Sequence, residues 1–109
     1  MMYIDFQAGN KEYKLRLNTR ATVTLEKTLG CNPLMIFGQG DRVPTVTEMV
    51  AVLHAALQPY NHGISMEVAY DIFDTYLEEH AVTDFITVIV DIYKASGIIH
   101  ESQEQEEKN

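Results

Sequence analysis

The sequence predicts an α+β fold, with an N-terminal β-hairpin packed on a small bundle of about four helices and a disordered acidic C-terminal tail. Three observations carry that prediction. Tyr13, Leu15 and Leu17 alternate with Glu12, Lys14 and Arg16, the period-2 pattern of a half-buried strand. Several later segments join a capping residue to apolar positions spaced three and four apart, the mark of an amphipathic helix. Residues 101–109 contain no apolar side chain and cannot repay the entropy of ordering. At 109 residues and 46% apolar content the chain has material for one modest core, so residues 1–100 are read as a single domain.

The elements follow in order. Residues 3–7 and 12–17 flank the turn Ala8-Gly9-Asn10-Lys11 and form the hairpin. A two-stranded hairpin is marginal in water, so its apolar face must lie on the rest of the chain. Thr19 is placed to cap a helix over residues 20–29, with Ala21, Leu25 and Leu29 on one stripe and Gly30 at its end. Asn32-Pro33 reads as a cap with a first-turn proline, opening a short turn through Leu34, Ile36 and Phe37. Residues 38–44 read as a loop.

Thr45-Val46-Thr47-Glu48 fits a capping box, and the helix it opens reaches about residue 58, where Pro59 stops it. Val46, Met49, Val50, Leu53 and Leu57 form the main stripe, with Ala51, His54 and Ala55 opposite. A helix with so few charges is expected to be covered on more than one side. After the turn Asn61-His62-Gly63, Ser65 caps a helix over residues 66–79 with core positions Ala69, Ile72, Phe73, Tyr76 and Leu77. Thr83 opens a last helix over residues 84–96, ended by Gly97. Its Phe85-Ile86-Thr87-Val88-Ile89-Val90 run prefers strands, but a dozen residues between a Thr-Asp start and a Ser-Gly end favour helix.

Charge bears on the partners. Residues 1–42 hold six Lys/Arg against four Asp/Glu, a net of +2, and residues 43–109 hold two against twelve, a net of −10, within a total of −8. The larger half repels a polyanion, so nucleic acid is excluded as a partner. No apolar run approaches the ~20 residues of a membrane span, so no membrane partner is expected, and the first residues lack the basic and apolar regions of a signal peptide. The lone cysteine, Cys31, has no internal partner, and the cytoplasm is the expected compartment.

No catalytic or cofactor-binding residues are expected. Cys31 sits at a helix start without a histidine tied to it in sequence, so a structural thiol is the simpler reading. His54, His62, His80 and His100 show neither zinc nor di-iron spacing, which argues against a metal, and Gly38-Gln39-Gly40 lacks the rest of either phosphate-loop motif. The sequence thus describes a protein that holds other proteins.

Two surfaces are candidates for that role. Glu67, Asp71, Asp74 and Glu78 recur at i, i+4, i+7 and i+11 and share one helical face with no Lys or Arg in the helix to pair with them. Like charges so spaced cost roughly 0.2–0.5 kcal/mol per pair. The face is either a solvated surface that aids solubility or a dock for a basic partner. In the last helix Phe85, Val88, Ile89 and Ile92 suffice for a core stripe, leaving Ile86, Val90, Ile98 and Ile99 over. They are either buried by a second layer or exposed as a contact patch, and in the latter case favour a homo-oligomer. The hairpin's edges add a third place where an incoming strand could pair.

As an ordered set the motifs carry a resemblance. Lys11-Glu12-Tyr13-Lys14-Leu15-Arg16-Leu17, Leu25-Glu26-Lys27, Leu29-Gly30 and Asn32-Pro33-Leu34 are followed by Pro44-Thr45, Glu48-Met49, Leu53-His54-Ala55-Ala56-Leu57-Gln58 and Tyr60-Asn61-His62-Gly63-Ile64. Over residues 3–100 the chain resembles the tail assembly chaperones of long-tailed phages and prophages of Gram-positive bacteria. The resemblance implies a non-catalytic protein of the bacterial host cytoplasm, used during virion assembly and absent from the finished particle. It implies the tape measure protein as a partner, kept soluble while tail tube protein gathers around it. A structural tail or head-tail connector protein of the virion is the alternative. The ending Glu107-Lys108-Asn109 is compatible with an adenine run of the slippery kind, which in such phages yields a longer frameshifted product.

Overall fold

The computed structural model describes residues 2–100, and the expected acidic tail lies outside the described residues. Strands β1 (Ile4–Ala8) and β2 (Lys11–Leu15) pair antiparallel in one two-stranded sheet. They are followed by α1 (Thr19–Leu29), a 3₁₀ turn (Pro33–Phe37), α2 (Val46–Leu57), α3 (Met66–Tyr76) and α4 (Asp84–Ala95). The expected α+β architecture of a hairpin packed on four helices is therefore the observed one.

The hairpin turn is tighter than the four-residue loop the sequence suggested, with the strands extending to Ala8 and Lys11 and leaving only Gly9 and Asn10 between them. Gly9 has φ 67° while no non-glycine described residue has positive φ. A positive φ at the first central position alone is the type II′ pattern, whose twist matches that of the strands. The glycine is needed for space as well, since a Cβ there would stand 2.8 Å from Thr75 Cγ2 on α3.

Register sorts the side chains. Ile4 lies across from Leu15, Phe6 from Tyr13 and Ala8 from Lys11. Phe6, Ala8 and Leu15 are buried, and Leu17 beyond the strand is buried too. The opposite face carries Asp5, Gln7, Glu12 and Lys14, all exposed. Lys14 lies across from Asp5 and holds its Nζ 5.0 Å from the centre of the Tyr3 ring.

α2 is the hub. Eight of its twelve residues are buried, and it touches α1, α3, α4 and β2, as its lack of charge predicted. Its start is the capping box read from the sequence: the Thr45 hydroxyl accepts from the Glu48 N–H at 3.1 Å, and the Glu48 carboxylate accepts from the Thr45 N–H at 2.9 Å. Val46, assigned to the main stripe, is instead exposed, because it precedes the first turn that reaches the core.

Arg42 ties the preceding loop to this cap, donating to the Ile36 carbonyl at 2.7 Å and to Glu48 at 3.0 Å. Burial alone would raise the Glu48 carboxyl, but the Arg42 hydrogen bond, the Thr45 N–H, the Arg42 charge and the Thr45 hydroxyl outweigh it and hold the group below its ordinary 4.5. A depressed folded-state value contributes stability above the unfolded value that is lost as pH falls through the folded one. Acid titration of the denaturant midpoint is therefore expected to show a loss beginning near pH 4.5. Glu48→Gln should lack that component of the slope, and an unchanged slope would contradict it.

Three boundaries differ from those the sequence predicts. The cap of α1 is Asn18, whose side-chain oxygen accepts from the Ala21 N–H at 2.8 Å, while Thr19 is the first helical residue. Asparagine is the stronger cap, and its backbone is extended at φ −74°, ψ 178°. α3 ends at Tyr76, and just beyond it the chain tightens to three-residue bonds, Glu78 N–H to the Thr75 carbonyl and Glu79 N–H to the Tyr76 carbonyl. His80 stacks on Tyr76 four residues before it, ring centres 4.4 Å apart. Thr83 makes no capping bond to α4; the Asp84 carboxylate accepts from the Ala81 N–H at 2.9 Å in its place. In the 3₁₀ turn, Ile36 is buried but Leu34, read as apolar contact, is exposed.

Tyr93, absent from the predicted core, is fully buried and donates its hydroxyl to the Pro33 carbonyl at 2.9 Å. Burial, helped by the nearby Cys31 and Glu48, pushes that hydroxyl far above its usual range, so it stays protonated. Leu17 N–H donates to Ser96 Oγ at 2.8 Å, which ties the exit of the hairpin to the end of α4.

Candidate protein-binding surfaces

On α3 the buried residues Ala69, Ile72, Phe73 and Tyr76 define one side of the cylinder. At 100° per residue, Glu67, Asp71 and Asp74 fall on the side directly opposite. All three are exposed, as is Glu78 in the turn beyond the helix. The acidic set is thus three helical residues with a fourth past the end, a correction forced by the earlier stop. Val68 and Tyr70, 41% and 47% exposed, flank the ridge on its two shoulders. The ion pairs among the described residues are Arg42 with Glu48 and His80 with Asp84, so none of the four acids is paired there. Lys11 lines the same groove as Asp71, with Tyr13, Val68 and Thr75, but makes no ion pair with it.

The apolar residues left over in α4 are neither free nor sealed. Ile86, Val90, Ile98 and Ile99 are all half-buried, and Ile86, Ile98 and Ile99 pack against the core. The cause for the last pair is the helix cap. Gly97, at φ 80°, gives its N–H to Lys94 while the Ile98 N–H reaches the Tyr93 carbonyl at 2.9 Å, a Schellman arrangement that turns Ile98 back onto the helix. Ile86 and Val90, one turn apart, form the shoulder beside buried Tyr93.

The larger apolar exposure lies where the sequence reading placed core or loop. Leu34, Met35, Val43 and Val46 are 38%, 57%, 63% and 49% exposed, all within the segment braced by Arg42. The sequence holds a signal for this: Leu34 and Met35 precede Ile36 in a single tight turn, which has only one inward face.

A second cleft, of about 260 Å³, lies between α1 and the end of α2 and is lined by Arg20, Thr24, His54, Gln58 and His62 among others. Its polar groups serve the local fold. Gln58 donates to the His54 and Ile64 carbonyls and accepts from Gly63 N–H, and His54 Nε2 lies 3.1 Å from the Ile64 carbonyl. Cys31 is exposed. Among the described residues no group of three or more His, Cys, Asp or Glu is placed to hold a metal ion, and no helix is long and apolar enough to cross a membrane.

Fold and surfaces together define a small α+β domain with an acidic, apolar-flanked helix presented on its outside. The chain belongs to a family of unknown function, DUF6096, whose model matches residues 3–109. No curated protein and no solved structure matches it.

Proposed function

We propose that the chain is a non-catalytic tail assembly chaperone, which binds the tape measure protein in the bacterial host cytoplasm and helps tail tube protein assemble around it. The α3 ridge carries this reading, since Glu67, Asp71 and Asp74 stand in an exposed row without ion-pair partners among the described residues. Such a row costs the isolated helix stability, and Asp74 also lies in the last turn, where the dipole disfavours an acid. A helix carrying basic residues would offset both, and the shoulders Val68 and Tyr70 give it apolar contact. The exposed apolar segment around Met35 and Val43 supplies further area. The resemblance in sequence points to the same partner.

The ridge makes two opposite expectations for one variant. Asp71→Lys with Asp74→Lys should stabilise the free domain by roughly 0.5–1 kcal/mol, through relieved repulsion and a better dipole match. The same variant should weaken binding to the tape measure protein about tenfold or more, and binding by the unaltered chain should weaken as salt rises. Chemical denaturation and titration calorimetry at two ionic strengths read both. Binding that ignores salt and the two substitutions would remove the ridge from the account. The place of the protein is read separately: purified virions should lack the chain, whereas many copies per particle would mark a structural tail or connector protein.

A further inference from the structure

The hairpin offers a surface that the chaperone reading does not use. In an antiparallel ladder, opposed residues alternate between hydrogen-bonded and non-bonded pairs. A two-residue turn closes on a bonded pair, here Ala8 with Lys11, so Phe6–Tyr13 and Ile4–Leu15 are bonded as well. The main-chain groups of Glu12, Lys14 and Arg16 therefore face away from β1. Arg16 agrees with this parity, because its N–H reaches outward to the Ala56 carbonyl at 3.0 Å. Glu12 and Lys14 have no backbone partner on that side among the described residues.

We infer that this edge of β2 pairs with β2 of a second copy, antiparallel and centred on Tyr13. The segment Glu12-Tyr13-Lys14 is self-complementary in charge, as a two-fold interface requires. About that centre, Glu12 of each copy faces Lys14 of the other. Both residues have outward main-chain groups, so each facing pair makes two hydrogen bonds, four in all. Their side chains also share the exposed outer face of the sheet, which adds two cross-strand ion pairs. The two half-buried Tyr13 rings meet at the axis as a non-bonded pair, the closer of the two spacings.

Neighbouring registers are worse. Centring on Glu12 sets glutamate against glutamate, and centring on Lys14 sets lysine against lysine and needs the Arg16 N–H already given to Ala56. The β1 edge does not compete as a two-fold contact, because it would bring Asp5 against Asp5 or against Gln7, with no ion pair. Lys14 is already steadied on the outer face by the Tyr3 ring at 5.0 Å.

Sedimentation equilibrium of the full chain tests the pairing, with circular dichroism confirming that each variant is folded. The unaltered chain should form a dimer, and Glu12→Lys should weaken it on the order of tenfold or more, since two attractive pairs become repulsive. The swap Glu12→Lys with Lys14→Glu should restore it. On dimerisation, amide exchange should slow at Glu12 and Lys14 and stay unchanged at Asp5 and Gln7. A monomer throughout, an open-ended polymer, a dimer indifferent to Glu12→Lys, or protection falling on Asp5 and Gln7 would each overturn the inference.

Discussion

Phe85→Ala is expected to destabilise the domain by about 3–5 kcal/mol, on the order of half of what a protein this size possesses. Phe85 is fully buried at the start of α4, and three other rings converge on it: Phe73 at 5.1 Å, Tyr76 at 5.7 Å and Phe6 at 5.8 Å, centre to centre. The interplanar angles of 74°, 78° and 89° set edges against faces, the arrangement the ring quadrupoles favour. Those neighbours come from β1 and α3, so this one side chain is where the hairpin, α3 and α4 meet. Alanine would leave a cavity that rings held by two separate elements cannot close together. Urea denaturation should show the midpoint falling while the slope is kept. A loss under about 1 kcal/mol would mean that the aromatic cluster is not where these elements are joined.

Tyr93→Ala is expected to cost about as much, and its comparison with Tyr93→Phe separates two contributions. The ring fills the core and meets Phe37 edge-on at 6.1 Å, while the hydroxyl donates to the Pro33 carbonyl at 2.9 Å. Phenylalanine keeps the ring but leaves a buried carbonyl without its donor, at about 1–3 kcal/mol. Alanine adds the cavity, for a total of about 3–5 kcal/mol. Loss of the hydroxyl should also loosen the 3₁₀ turn, visible as faster amide exchange at Met35 and Gly38, whose N–H groups bond to Asn32 and Met35. Equal stability of Tyr93→Phe and the unaltered chain would show that the hydroxyl contributes nothing.

Local chemistry made much of this fold legible. Alternation in Glu12–Leu17 found β2, and the Thr45–Glu48 box and Asn32-Pro33 cap were read as they stand, because each depends on residues within a few positions of one another. The strand-like run in α4 did not mislead, since its length outweighed its β-branched content. What escaped was set at a distance. Tyr93 follows Ile89 by four and Phe85 by eight, so its place on the buried stripe was open to view, but its acceptor Pro33 lies sixty residues away in the chain. The early end of α3 is a switch of backbone bonds to three-residue spacing at Glu78 and Glu79, which side-chain periodicity does not register.

The candidate site divides the same way. Glu67, Asp71 and Asp74 share a face because helical geometry compels it, and that much was legible. Ile98 looked surplus because the Gly97 cap that folds it back is a backbone event, and Leu34 and Val46 looked buried because apolar character alone does not say which way a residue turns. The row of acids and the apolar residues around them thus remain the surface from which a function can be argued.

Co-expression with the cognate tape measure protein tests that function most directly. The partner should be recovered soluble and bound to the unaltered chain, and should aggregate beside the folded Asp71→Lys, Asp74→Lys variant. A tape measure protein that aggregates equally with and without the unaltered chain would contradict the account.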